Sequence, residues 1–236
     1  MQALRLLERA FDAAADTGRL VEVWWRDDDA VVIGPRLERM VALAERTGAR
    51  VALAVIPADV HSHLLAWCEG RVDVVQHGAA HRNHQASGKK AELGDARPLE
   101  EIVEELVALR ARLEGPSFVP VMVPPWNRMR PDLAAALRDA GYRGVSRFGE
   151  GEAFEPIRRV DTHIDPIAWR GDRSLAPDEA LAAMVTRGLA VGGPIGLLTH
   201  HAVETDAVVD FVARFASLVA RHPGAVWTDA ARLFAS

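Results

Sequence analysis

Apolar residues recur along this chain in two rhythms that take turns. Stretches spaced by three and four residues, which put side chains on one helical face, alternate with short unbroken apolar runs of strand length. Residues 2–17 set Leu4, Leu7, Phe11 and Ala14 at helical spacing, and Gly18 follows as a stop. Residues 20–25 read as a strand with Asp27, Asp28 and Asp29 at its C-terminal end. Pro35 opens a second helix, with Leu37, Met40, Val41 and Ala44 on one face and Gly48 at its end. Residues 50–56 form a run apolar enough for a strand buried on both sides, closed by Pro57. A short helix over 61–67 and a strand over 72–76 come next, and the strand delivers His77. The polar segment 86–98 directly follows the histidines and is expected to fold over them as a loop. Ile102, Val103, Leu106, Leu109 and Leu113 stripe a helix over 99–113, and a strand over 118–123 breaks at Pro124-Pro125-Trp126-Asn127. Pro131 starts a helix ending at Gly141. Short strands are expected over 144–148 and 157–160, a helix over 177–189, and a strand over 195–199 that delivers His200 and His201. An amphipathic helix through Val208, Phe211, Val212, Phe215, Leu218 and Val219 precedes a last strand at 225–227.

This alternation predicts an α/β chain of parallel strands covered by helices. No linker or shift of composition divides it, so a single domain over 1–236 is expected. About seven strand–helix units favour a barrel or near-barrel over an open sheet. The polar groups fall in a pattern: the Asp run, His77/His81, Pro-Pro-Trp-Asn, His163/Asp165 and His200/His201 all follow strand candidates. In a (β/α) barrel those strand ends form one rim, and the rim carries the active site.

Composition narrows the chemistry. The chain has 236 residues, 49% apolar and 26% charged, which suits a globular enzyme with a sizeable core. A formal net charge of -5 with no basic cluster argues against a nucleic-acid partner. The single cysteine, Cys68, excludes a disulfide framework and a cysteine-rich zinc site. No segment approaches 18 uninterrupted apolar residues, so no membrane span is expected. Charges interrupt the first residues, unlike a signal peptide, which makes the cytoplasm the expected compartment.

The histidine pair carries the sharpest signal. If the strand ending at Gln76 turned into a helix, His77 and His81, four apart, would share one face and reach one ion. A carboxylate would complete a two-histidine, one-carboxylate set for a divalent metal. Three adjacent aspartates repel one another, and a cation relieves that repulsion. A solvated acidic loop that caps the next helix is the competing reading. Trp24, Trp25, Trp126 and Trp169 lie beside these motifs, where sugar stacking and core packing both account for them.

Taken in order, these motifs resemble the polysaccharide deacetylase superfamily, the carbohydrate esterase family 4-like enzymes with a chitooligosaccharide deacetylase homology domain. Arg26-Asp27-Asp28-Asp29-Ala30 is similar to the family's Thr-Phe-Asp-Asp-Gly; His77-x-x-x-His81 matches its His-x-x-x-His. Val123-Pro124-Pro125-Trp126 resembles Arg-Pro-Pro-Tyr without the arginine, and Arg26 or Arg128 are the candidates to replace it. Asp165-Pro166-Ile167-Ala168-Trp169 and Leu198-Thr199-His200 resemble the fourth and fifth motifs. The resemblance implies a distorted (β/α)7-type barrel. It implies Asp28 as catalytic base, Asp29, His77 and His81 as metal ligands and His200 as catalytic acid. A shift by one would make the first pair Asp27 and Asp28, and His201 is the alternative acid. Trp126, Asn127, Arg128, His163, Asp165 and Trp169 are the expected substrate-binding residues. The expected cofactor is one divalent metal, zinc first, with cobalt, nickel or iron also suiting these ligands.

The activity so implied is hydrolysis of the acetyl group from an N-acetylated sugar or related amide. A non-catalytic carbohydrate-binding relative and a hydrolase of other non-peptide C–N bonds, such as cyclic amides or ureides, are the competing functions. The altered first motif and the missing arginine keep the former in play.

Overall fold

The computed structural model describes residues 1–149 and 156–235. In chain order the elements are α1 (Gln2–Ala15), β1 (Val21–Ala30), α2 (Pro35–Arg46), β2 (Ala52–Val55), α3 (Ser62–Cys68), β3 (Asp73–His77), α4 (Leu99–Arg110), β4 (Phe118–Val123), α5 (Leu133–Asp139), β5 (Gly144–Val145), β6 (Arg158–Arg159), α6 (Asp178–Val191), β7 (Ile195–Thr199), α7 (Asp206–Arg221), β8 (Ala225–Trp227) and α8 (Ala230–Leu233). The strand order is β6-β5-β4-β3-β2-β1-β7, with β8 also on β1. Every strand pairing with a described register is parallel. The expected class, α/β with strands and helices alternating, is the one observed. No helix among the described residues is long and apolar enough to cross a membrane.

The chain forms two compact units, and β1 contributes to both. The first unit comprises residues 1–27, 34–51 and 162–229. Its strands are the first part of β1, which pairs with β7 from Val23↔Ile195 to Asp27↔Thr199 and with β8 from Val21↔Ala225 to Val23↔Trp227. The spacing read from the sequence sets the buried face of α1 at Ala3, Leu7, Phe11 and Ala14. Its N-terminus is satisfied from afar: the backbone N–H groups of Gln2 and Ala3 donate to the carboxylate of Asp178, in the first turn of α6. Proline sits at the first position of α2, whose Leu37, Met40, Val41 and Ala44 are buried. Residues Val208, Phe211, Val212, Phe215, Ala216 and Val219 bury one side of α7.

The second unit comprises residues 28–33, 52–161 and 230–236. Its short strands β2 and β3 are buried along their whole length, as expected of parallel strands covered on both faces. Helices α4 and α5 pack Ile102, Leu106, Leu133, Ala134 and Leu137 against Met122 of β4 and Val145 of β5. One polar side chain in this core is fully accounted for. Gln76 Nε2 donates to the carbonyls of Gly78 and Leu106, and its Oε1 accepts from the Tyr142 hydroxyl at 2.7 Å.

Three expectations are corrected. The strand carrying the aspartates does not stop at Trp25; β1 runs to Ala30 and includes all three. The helix expected to reach Leu113 ends at Arg110. His77 and His81 do not sit on a helix: β3 ends at His77, and the chain turns through left-handed φ values at Gly78 (57°) and His81 (54°).

Candidate metal centre

β3 delivers His77 almost fully buried at its last residue, where parallel pairing with Val123 holds the backbone. The His77 Nδ1–H donates to the Val123 carbonyl at 2.9 Å, which turns Nε2 toward the cluster as the atom that takes either a proton or a cation. Nε2 lies 3.1 Å from Oδ1 of Asp29, and Nε2 of His81 lies 3.4 Å from the same oxygen. The three donor atoms all fall within 4.8 Å of one another, the only such group of three found among the described residues. Two imidazole nitrogens and one carboxylate at this spacing fit a divalent cation, which would take the place of any proton on them. One side is closed and the other open: side-chain exposure is 3% at His77 but 24% at His81 and 37% at Asp29.

Backbone conformation aims each donor. Asp29 adopts φ 71° at the end of β1, and Trp126 and Asn127 adopt 54° and 57° after β4. Non-glycine residues rarely take this region, and such strain collects at functional sites. The Trp126 ring sits 4.4 Å from that of His81, with Lys90 Nζ 5.9 Å from its centroid. Burial pulls the His77 pKa down, but the Asp29 hydrogen bond and the charges of Asp28 and Asp29 outweigh it and leave it raised. Burial and the neighbouring His77 lower the His81 pKa, favouring the neutral form.

In the first unit His200 and His201 part company. His201 is turned inward: its Nδ1 lies 2.5 Å from Asp27 Oδ1, while Asp27 Oδ2 accepts from its backbone N–H and from the Thr199 hydroxyl. Trp25 Nε1 donates to that hydroxyl in turn. Asp27 is thus committed to a buried network, and Asp29, two residues on, is the aspartate beside His77 and His81. His200 is half-buried, packed edge-on against Trp169 at 4.7 Å, and its Nδ1 is buried with no hydrogen-bond partner. Asp165 accepts from Ile167 N–H and from Trp169 Nε1, holding that exposed indole in place. Burial, then the Asp27 charge, raises the Glu204 carboxyl to about 7.

The expected substrate-binding residues divide. Trp126 borders the metal-type cluster and Trp169 borders His200. Arg128 donates to the Lys90 carbonyl, so it staples the 86–98 segment. His163 is buried, and its Nδ1 accepts from Gly196 N–H. The candidate replacement Arg26 is fully buried within β1. Sequence reasoning missed Glu92, Glu204 and the trio of half-buried Arg147 and Arg159 with buried Asp161, in which Asp161 pairs with Arg159 and accepts from Arg147 N–H. No pattern of spacing marks these single residues; the position of Asp161 just past the strand expected over 157–160 is the one available signal.

No family model and no curated protein matches the chain. Solved structures match it in fold. A family 4 carbohydrate esterase from Streptomyces lividans, in complex with acetate, is 14% identical over 88% of this chain and 91% of its own, with a TM-score of 0.58. A family 4 acetyl xylan esterase from Clostridium thermocellum, in complex with a cobalt ion, is 14% identical over 90% of each chain, TM-score 0.55. A family 4 pseudoenzyme from Bacillus anthracis is 12% identical over 92% of this chain and 66% of its own, TM-score 0.58. At these identities the likeness shows the fold, the distorted (β/α) barrel type expected from the sequence.

Proposed function

We propose that this chain is a divergent polysaccharide deacetylase-type enzyme that hydrolyses the acetyl group from an N-acetylated sugar or related amide. The convergence of Asp29, His77 and His81 carries the reading, in a fold shared with family 4 esterases. These three residues would hold one divalent cation, with zinc or cobalt suiting the ligand set. When bound, the cation supplies a water of lowered pKa and a Lewis acid for the amide carbonyl. Asp28, buried between the two committed aspartates, is the base that takes the water's proton. His200 protonates the leaving amine as acetate forms, and the exposed Trp169 beside it offers an apolar face to a sugar ring.

His201 is the second candidate for the acid, because it alone of the pair has an orienting carboxylate, Asp27. A non-catalytic binding role is the second functional reading, favoured by the absence of the motif-three arginine and by the pseudoenzyme among the structural neighbours.

Metal per chain, measured by elemental analysis on wild type and His77→Ala, tests the reading. About one equivalent in the wild type that is lost in the variant is expected. An acetate-release screen on N-acetylated sugars, alongside cyclic amides, then separates the activities. A wild type that takes up no metal from zinc or cobalt solutions overturns the hydrolase mechanism; full metal without turnover on any of these substrates favours the binding role.

A further inference from the structure

We infer that Glu92 is the positioning residue of the metal centre: its carboxylate sets the backbone turn that presents His81 beside His77. The inference rests on the metal site proposed above. After β3 the chain makes no helix, so the N–H groups of the turn lack the carbonyl partners a helix would give them. Three of them converge on one carboxylate instead. Ala79 N–H donates to Glu92 Oε2 at 2.9 Å, and Ala80 and Arg82 N–H donate to Oε1 at 2.8 and 3.0 Å. Successive N–H groups pointing into one concavity form an anion nest, here filled by a side chain.

Glu92 is only 1% exposed. Burying a carboxylate is costly, and three charge-assisted hydrogen bonds are what offset it. Both oxygens are used by the backbone, so Glu92 orders the turn and is not a fourth ligand. The fit leaves no slack. A Cβ on Gly78 would stand 2.0 Å from Glu92 Oε2 and 2.5 Å from Pro125 Cγ.

The segment that carries Glu92 is itself tied down on both sides. Ala91 N–H donates to Asn83 Oδ1, and His84 N–H donates to the Ala91 carbonyl. Arg128 holds the Lys90 carbonyl, and Arg130 N–H donates to the Leu93 carbonyl at 2.8 Å. The loop expected to cover the histidines therefore acts on their turn, through one buried charge.

The test is a cobalt(II) titration of the metal-free chain in four forms: wild type, Glu92→Gln, His81→Ala and the double variant. Glutamine keeps the shape but turns an amide N–H toward at least one backbone N–H. Glu92→Gln is expected to bind cobalt about 10- to 100-fold more weakly with an unchanged far-ultraviolet circular dichroism spectrum. The double variant is expected to bind no more weakly than His81→Ala, since Glu92 acts through His81. Wild-type affinity in Glu92→Gln, or losses that multiply in the double variant, would overturn the inference while leaving the metal site standing. A wild type that takes no cobalt overturns the metal site and this assignment together. Should Glu92→Gln not fold, amide exchange in the wild type decides. Slow exchange at Ala79, Ala80 and Arg82 that slows further with cobalt supports the role; exchange indifferent to cobalt refutes it.

Discussion

His200 and His201 are neighbours in sequence and opposites in environment, one packed against an exposed indole and the other locked on Asp27. That contrast makes the acid testable. Replacing the true acid should slow amide cleavage at least tenfold more than cleavage of an activated ester, whose leaving group needs little protonation. We expect His200→Ala to show this selective loss and His201→Ala to lower both rates alike through disorder around Asp27. Selectivity on His201→Ala instead would transfer the role, and equal losses in both variants would remove it from the pair. At this scale the sequence was informative about residue types and poor about neighbours. Two histidines and a carboxylate were legible because metal chemistry needs those atoms. Which of three aspartates stands beside the histidines came from the resemblance, which put Asp29 first; spacing alone could not choose, because that depends on the pleat of β1 and the left-handed φ of Asp29. Glu92 was invisible, since a lone glutamate in a polar segment reads as solvated until its three backbone donors are seen.

Strands and helices followed their apolar periodicity closely, since burial drives both; α1, α2, β4 and β7 lie within two residues of their expected ends. The departures are at element ends: β1 runs on through three aspartates, α4 stops at Arg110, and the chain after β3 turns where a helix was expected. The i, i+4 argument brought His77 and His81 together for the wrong geometric reason: a tight turn achieves what a helical face would have. Two glycines separate the contributions. Gly18 has φ 66° and open space around its missing Cβ, so Gly18→Ala should cost only the left-handed strain, about 1–2 kcal/mol, and leave cobalt affinity intact. Gly78→Ala meets Glu92 and Pro125 as well and should lower both stability and cobalt affinity. Urea unfolding of the metal-free variants with parallel cobalt titrations checks this. Equal cobalt affinity in the two variants would show that the turn tolerates a displaced Glu92.

For the whole molecule, one buried carboxylate makes stability depend on pH. Glu204 is pushed up to about 7 from an ordinary 4.5, so the folded chain holds a proton that the unfolded chain has released. Its contribution is intact below about 4.5 and is lost as pH rises toward 7. Glu204→Gln cannot ionise, so its melting temperature relative to wild type should be higher at pH 8 than at pH 5; a constant difference would mean that Glu204 is ionised throughout. The pairing of β1 carries a different consequence, for the order of biosynthesis. Strands β2 to β6 of the second unit lie within residues 52–159 and can pair as they leave the ribosome. The first part of β1 emerges early, yet its partners β7 and β8 begin only at Ile195 and Ala225. The β7 edge of β1, from Val23 to Asp27, must therefore stay open until residues 195–199 have been made. A nascent chain stalled before residue 195 should be a client for chaperones that hold exposed apolar segments, whereas a chain extended past residue 227 should not.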